Sequence, residues 1–408
     1  MNYTKPNLFI YRLAQLISWN VATFVFKRKL LRNEIKNEQG PFVVIANHQA
    51  QYDFVNLIGA THRPMSFVIS SSFYRALPIT GLLRRMGVIP KQQFQTTVRD
   101  MKQMKRVVEH GQPLVIYPAG LMCEDGLSTP IPPATYKFLK WLNVDVYVAK
   151  TSGTYFAMPK WGKGMRRCRT YLDIYRLFTK DELAQLSLDA IRARTDEALL
   201  FDAYREQEAL LVENVGNNIE GLEQVLYMCP HCRSEFTMQV KNKNTLCCTK
   251  CGFQQESDQY AFLHNCRGIG PEVRYVSDWS RMIYDQLKEQ VLAEPGISLT
   301  SATRIQMIDS SKHKYVDVGS GTVSLSREHF LIRGTIHSSE VELQIPIANL
   351  PTLPFCPGKY LEIQHGDTSY RCTLNDSHLV MKFINLLKIF YELNQAAAKQ
   401  CCAGAVHS

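Results

Sequence analysis

Residues Pro41 to Phe54 read PFVVIANHQAQYDF, and the order of residue types in this stretch points to both a fold and a chemistry. Phe42 to Ala46 form an unbroken apolar run of strand length. Asn47 and His48 follow directly, and Asp53 lies five positions beyond His48. Five residues of continuous helix turn through about 500°, so His48 and Asp53 would not share a helical face. A turn must come between them. With His48 ending the strand and Asp53 opening the next helix, the carboxylate folds back onto the imidazole, the orienting role a carboxylate plays for a general base. Among 11 histidines chance alone supplies about half an H-x4-D. The weight therefore comes from context: this chain has one instance, placed after an apolar strand and an Asn.

Outward from this stretch, short β-rich runs alternate with helical ones as far as Phe178. Strands are expected at Phe42 to Ala46, Pro64 to Ser70, Leu114 to Tyr117, Asp145 to Ala149 and Tyr171 to Tyr175, with helices at Asp53 to Ala60, Thr97 to Glu109 and Ala134 to Leu142. This alternation predicts an α/β layer around a partly parallel sheet. Asp181 to Val215 reads as a charged helical connector that ends at Gly216, Asn217 and Asn218.

At the downstream end of the third strand comes Val115 to Gly120, VIYPAG. With the N-H-x4-D of Asn47, His48 and Asp53, this resembles the glycerolipid acyltransferase family typified by 1-acylglycerol-3-phosphate acyltransferase, over about residues 40 to 180, roughly a third of the chain. That family carries N-H-x4-D, then a G-x-I-x-x-x-R-like segment, F-P-E-G-T-R and a short V-P-V-like strand. Gly87 to Lys91, GVIPK, matches the second block, Tyr117, Pro118 and Gly120 the third, and Val146 to Ala149 the fourth. The resemblance implies His48 as the base that deprotonates an acceptor hydroxyl, Asp53 as its partner, and Asn47, Lys91, Pro118, Gly120 and Lys150 around the substrate. It implies an acyl thioester donor, coenzyme A or acyl carrier protein, and a lysophospholipid acceptor without a covalent acyl-enzyme.

The chain departs from the family at Ala119, where Glu is usual, and at Leu121 and Met122, where Thr and Arg are usual. An apolar side chain cannot replace a bidentate guanidinium on a phosphate. Lys91, Lys137 and Lys150 are candidates to compensate, and Glu124 or Asp125 for the carboxylate. A degenerate acyltransferase domain that binds lipid or nucleic acid is the rival reading.

Cys229, Cys232, Cys248 and Cys251 form C-x2-C, a gap of fifteen residues and C-x2-C, the pattern of a zinc ribbon with four thiolates around one structural zinc. Cys247 is an alternative ligand, but its spacing to Cys251 is one residue too long; His231 reads as a turn residue. A closed four-thiolate site stabilises a small fold and activates no water. Arg233, Lys241, Lys243 and Lys250 are too sparse for a nucleic-acid stripe, so nucleic acid is not the expected partner.

The chain therefore divides into 1–215, an acyltransferase domain, 223–264, the ribbon, and 290–396, a β-rich, pleckstrin-homology-like module. In that module β runs at Lys314 to Val318, Thr322 to Leu325, His329 to Arg333, Val341 to Ile347, Tyr360 to Gln364 and Ser369 to Thr373 precede an apolar helix, Leu379 to Leu393. From Ala396 the tail is expected to fray.

Composition bounds the rest. The 408 residues, 45% hydrophobic and 21% charged, suffice for two or three packed domains. Lys and Arg exceed Asp and Glu by 47 to 37, a formal charge of +10 that suits an anionic partner. No uninterrupted apolar run reaches the 18 or so residues of a spanning helix, which excludes a polytopic membrane protein. Leu8 to Phe26, interrupted by Arg12, Gln15 and Asn20 and followed by Lys27, Arg28 and Lys29, reads as an amphipathic helix in a membrane interface. No small-residue cleavage site follows it. Lys160, Lys163, Arg166, Arg167 and Arg169 surround Trp161, a basic strip with an aromatic anchor for anionic headgroups. The expected location is the cytoplasmic face of a membrane, peripheral or monotopic. Nothing in the twelve cysteines asks for a disulfide.

Overall fold

A computed structural model describes residues 5–93, 97–366 and 368–404. The chain forms two compact units: residues up to Asn218 together with Asp258–Phe262, and Ile219–Ser257 together with the chain from Leu263 onward.

The first unit is built on a mixed sheet of seven strands, β1 (Lys29–Asn33), β2 (Phe42–Ala46), β3 (Ser66–Ser70), β4 (Ile89–Lys91), β5 (Leu114–Ile116), β6 (Asp145–Ser152) and β7 (Tyr171–Phe178), in the order β1-β7-β6-β2-β5-β3-β4. β6 and β7 pair antiparallel and every other pair in the sheet is parallel. All five residues of β2 are buried, as a central strand covered on both faces requires. Val43 and Ile45 pack on one side with Val107 and Leu139; Phe42, Val44 and Ala46 pack on the other with Tyr11 and Leu57.

Helix Val98–Glu109 starts at a capping box in which Thr97 and Asp100 satisfy each other's backbone N–H. The expected connector is three helices, Lys180–Gln185, Leu188–Leu199 and Ala203–Leu210. It breaks because Ser187 and Asp202 each cap a new N-terminus. The turn Asp258–Phe262 completes this unit: Gln207 Nε2 donates to the Tyr260 carbonyl at 3.0 Å, and the Val215 amide donates to the Gln259 carbonyl at 3.0 Å.

Two strands of this unit escaped the sequence reading. β1 lies at the sheet margin with mostly exposed residues, so it shows no apolar alternation, and β4 has only three residues.

In the second unit, β8 (Met238–Lys241), β9 (Thr245–Cys248), β10 (Gln254–Ser257) and β11 (Leu263–Asn265) make a four-stranded antiparallel sheet. Seven further strands, β12 (Leu299–Asp309), β13 (Lys314–Leu325), β14 (His329–Ile336), β15 (Ser339–Pro346), β16 (Phe355–Cys356), β17 (Tyr360–His365) and β18 (Thr368–Leu374), pair antiparallel in the order β15-β14-β13-β12-β18-β17-β16. The two runs expected at Lys314 to Val318 and Thr322 to Leu325 are one strand. Its glycines do not break it; they admit a neighbour, since a Cβ on Gly321 would stand 2.2 Å from the Arg333 carbonyl oxygen of β14.

Helix Leu379–Gly404 packs on β13 and buries Val380, Phe383, Ile384, Leu387 and Phe390. It runs through Ala396, Ala397 and Ala398, strong helix formers, where a frayed end is expected from sequence; the last residues of the tail lie outside the described residues. Helix Val276–Ala293, which the sequence reading passed over, buries Trp279, whose Nε1 donates to the Met228 carbonyl at 2.9 Å.

Candidate active site

β2 ends at Ala46, and the next residue fixes where the chain goes. Asn47 is buried; its Nδ2 donates to the Thr151 carbonyl at 2.8 Å and its Oδ1 accepts from the Thr151 amide at 2.8 Å and hydroxyl at 3.1 Å. Expected around the substrate, Asn47 instead clamps the end of β2 to β6 and presents His48 at the sheet margin. A tight turn returns the chain to Asp53, the first residue of helix Asp53–Ile58. His48 Nδ1 lies 2.9 Å from Asp53 Oδ2, and the same oxygen accepts from the amides of Gln49 at 2.8 Å and Ala50 at 3.0 Å. Asp53 is 1% exposed, so this carboxylate is held by its backbone donors and the helix N-terminus rather than by water.

A carboxylate only accepts, so Nδ1 carries the imidazole proton and Nε2 the lone pair. The His48 side chain is 21% exposed. The Tyr117 ring lies 4.5 Å from the His48 ring, centroid to centroid, tilted 35°. Burial, followed by the charge of Asp53, pushes the Tyr117 phenol well above its usual range, so it remains a neutral wall.

Because β2, β5, β3 and β4 run parallel, their carboxyl ends share one margin of the sheet, where parallel α/β folds place ligands. His48, Tyr117, Ser70 and Lys91 lie there. Pro118 and Gly120 belong to the turn after β5, in which the Gly120 amide donates to the Tyr117 carbonyl at 3.0 Å. Gln93 Nε2 donates to the Gly120 carbonyl at 2.7 Å, and the Cys123 amide to the His48 carbonyl at 3.3 Å. The second and third sequence blocks thus meet around the first. Lys91 Nζ donates to the Gln92 carbonyl at 3.1 Å, and burial, opposed by Asp100, lowers its pKa.

Lys150 Nζ donates to the Leu200 carbonyl at 3.0 Å and pairs with Glu206 at 3.4 Å, which engages it with the connector. Lys137 is exposed on a helix whose opposite side, Phe138, Leu139 and Leu142, packs into the core. Trp161 is no membrane anchor: it is buried and donates from Nε1 to the Tyr155 hydroxyl at 2.9 Å. Arg166 lies over its ring and donates to the carbonyls of Val215 and Asn218. Lys160, from the same strip, reaches the Met122 carbonyl at 3.4 Å.

The N-terminal helix Leu8–Asn20 is amphipathic in an inverted sense. Its buried face carries Tyr11, Gln15 and Ser18, and Gln15 Nε2 donates to the carbonyls of Ile58 at 3.3 Å and Thr61 at 2.7 Å. Leu8, Phe9, Leu13, Leu16 and Ile17 point outward, Phe9 with 80% of its surface exposed. By length and composition, Leu8–Val25 is the one helix among the described residues that could cross a membrane.

In the second unit the sulfurs of Cys229, Cys232, Cys248 and Cys251 all lie within 4.8 Å of one another, an arrangement able to hold a metal ion. Cys229 Sγ and Cys251 Sγ are 3.7 Å apart, Cys232 Sγ and Cys248 Sγ 3.8 Å. The Thr237 hydroxyl lies 3.3 Å from Cys248 Sγ. Cys247 is outside the group, because neighbouring side chains on a strand point to opposite faces.

Residues 27–166 match the family model described as Acyltransferase, and this part of the chain is an acyltransferase-family domain. Among solved structures, the 1-acyl-sn-glycerophosphate acyltransferase of Thermotoga maritima is similar, at 16% identity and a TM-score of 0.41, over 50% of this chain and 80% of that one. No curated protein matches the chain.

Proposed function

We propose that the protein transfers an acyl chain from a thioester to the hydroxyl of a lysophospholipid-type acceptor at a membrane surface. The observation that carries this reading is the His48–Asp53 pair at 2.9 Å inside an acyltransferase-family domain. His48 Nε2 takes the proton of the acceptor hydroxyl as its oxygen attacks the thioester carbonyl. The tetrahedral adduct collapses with loss of the thiolate of coenzyme A or acyl carrier protein, and the imidazolium returns the proton to that sulfur. Asp53 keeps Nδ1–H oriented and faces the positive charge on the ring. A positioned base of this kind contributes about 10² to 10⁴ in rate.

Acceptor specificity rests on which cations remain at the margin. Lys91, at the end of β4, and Lys160, beside Met122, are the cations we assign to a phosphate or other anionic headgroup. Lys160 arrives at Met122, where the sequence lacks a cation of its own. The outward apolar face of Leu8–Asn20 supports docking into an anionic bilayer surface from the cytoplasmic side, with Arg167 beside Phe24, 3.2 Å from its carbonyl.

For the second unit our reading is a structural zinc ribbon followed by a pleckstrin-homology-like module, an antiparallel sheet closed by one helix. Zinc–thiolate bonds of about 2.3 Å in a tetrahedron put neighbouring sulfurs about 3.8 Å apart, against 3.7 and 3.8 Å here. Four thiolates close the coordination shell, so the metal would stabilise this unit and stay outside the reaction.

The test is thiol release from acyl-coenzyme A with a panel of lysolipids, parent against His48→Ala. A reading of this chain as a lipid or nucleic-acid binder requires that neither protein release thiol. Parent-level turnover by His48→Ala would remove His48 from the mechanism.

A further inference from the structure

We infer that Gln49 is a positioning residue that sets the His48–Asp53 pair against the rest of the site; this rests on the function proposed above. The sequence offers no signal for it, since the residue after His48 is one of the four unspecified positions of N-H-x4-D. In the fold Gln49 is wholly buried and makes contacts in three directions. Its backbone N–H donates to Asp53 Oδ2 at 2.8 Å, beside the contact that Asp53 makes with His48. Its side-chain Oε1 accepts from the Thr154 hydroxyl at 3.1 Å and from the Tyr155 amide at 3.2 Å. Its carbonyl accepts from Cys123 Sγ at 3.6 Å, so the loop after β5 rests on the same residue.

The bonds to Oε1 tie the turn between His48 and Asp53 to helix Thr154–Ala157. Tyr155 extends the tie, with its hydroxyl 3.3 Å from the Glu124 carbonyl in the loop after β5. A glutamine is unusual cargo for such a place. Its Nε2 is buried without a partner, as is Asp53 Oδ1. An unpaired buried donor is costly, so packing alone would favour an aliphatic side chain here. What an aliphatic residue lacks is the acceptor, and the acceptor is the atom that locks the turn. Because the turn carries two of the three groups around Asp53 Oδ2, a shift in it moves the carboxylate relative to the imidazole, and misplacement of about 1 Å is enough to cost up to a hundredfold.

The experiment combines Gln49→Leu, which keeps volume and removes the acceptor, with Asp53→Asn, singly and together, measuring kcat and KM for acyl transfer and the thermal melt. Gln49→Leu is expected to lower kcat between about tenfold and a hundredfold with KM within about twofold. In the Asp53→Asn background the same substitution is expected to add little, because both act on one pair. A kcat for Gln49→Leu within twofold of the parent, or losses that multiply in the double variant, would overturn the inference. If Gln49→Leu does not fold, Thr154→Val removes one of the two bonds to Oε1 and leaves the turn itself unaltered; a partial fall in kcat at unchanged KM supports the inference, and parent-level kcat overturns it. The two readings fail differently. Loss of activity in His48→Ala with parent-like Gln49 and Thr154 variants rejects only the role of Gln49, whereas parent-like turnover in His48→Ala rejects the proposed function and this inference with it.

Discussion

The Tyr204 ring rests on Gly126: a Cβ on that glycine would come 2.9 Å from ring atoms Cδ2 and Cε2. Tyr204 belongs to helix Ala203–Leu210, and Gly126 lies in the loop that follows Tyr117 and Pro118. The contact is reinforced by the Ala203 amide, which donates to the Gly126 carbonyl at 2.8 Å. The connector thus holds down the loop that borders His48.

Gly126→Ala is expected to destabilise the protein by about 1 to 3 kcal/mol. The new methyl meets a buried ring, and the backbone at φ 86° favours glycine. A melting curve checks the loss, and hydrogen exchange is expected to rise first in the residues between Tyr117 and Ser128. A melt unchanged from the parent would mean that the ring yields freely.

Asp53→Asn is expected to lower kcat by about 10² to 10⁴ while leaving the melt close to that of the parent. An asparagine oxygen still accepts from the amides of Gln49 and Ala50, so the turn survives. The negative charge facing the imidazolium does not. Circular dichroism beside the thiol-release assay separates the two effects.

Lys160→Ala is expected to raise KM for an acceptor with a phosphomonoester and to leave a neutral monoacylglycerol unaffected, by roughly tenfold if one charge-assisted bond to phosphate is lost. Lys150→Ala serves as the contrast. Its ammonium is bonded to Leu200 and Glu206, so it should shift the melt and not the acceptor preference. Equal KM changes for both acceptors in Lys160→Ala would place the phosphate elsewhere.

Phe9→Glu and Leu13→Glu are expected to release the protein from anionic vesicles without altering its melt, since both side chains are exposed. Burial of each apolar side chain is worth about 1.5 to 3 kcal/mol, so each substitution should weaken sedimentation with vesicles by more than tenfold. Arg167→Ala should act in the same direction more weakly and lose its effect at high salt.

Chelation, or Cys229→Ser, is expected to remove about one zinc per chain and to unfold the four-stranded sheet around the cysteines, since a structural metal supplies folding free energy outright. The emission of Trp279, now bonded to Met228 and set edge-on to Phe253, should shift to the red. Cys247→Ser should retain the metal.

What could be read from the sequence was what neighbouring residues decide between themselves. The strand Phe42–Ala46, the return from His48 to Asp53 and the four-cysteine cluster all follow from short spacings, and each stands where the spacing put it. What could not be read depends on partners distant in the chain. Trp161 looked like an anchor because cations surround it, yet Tyr155 and Arg166 enclose it. Lys150 lies next to a matched strand, but Leu200 and Glu206 claim it. Gln49 has no sequence signal because its acceptor meets Thr154 and Tyr155, more than a hundred residues away. The inward polar face of the N-terminal helix is legible only once Gln15 is seen against Ile58 and Thr61.

The turn Asp258–Phe262 gives the order of synthesis a physical meaning. The residues that finish the first unit are made after the cysteine cluster has been made, because Gln259 and Tyr260 lie between β10 and β11. A chain halted at Asn218 would leave Gln207 Nε2 and the Val215 amide without the carbonyls that they bond in the whole protein. On the ribosome the first unit therefore lacks its last turn until the four cysteines have been made, and a genetic cut after Asn218 severs that unit from part of itself.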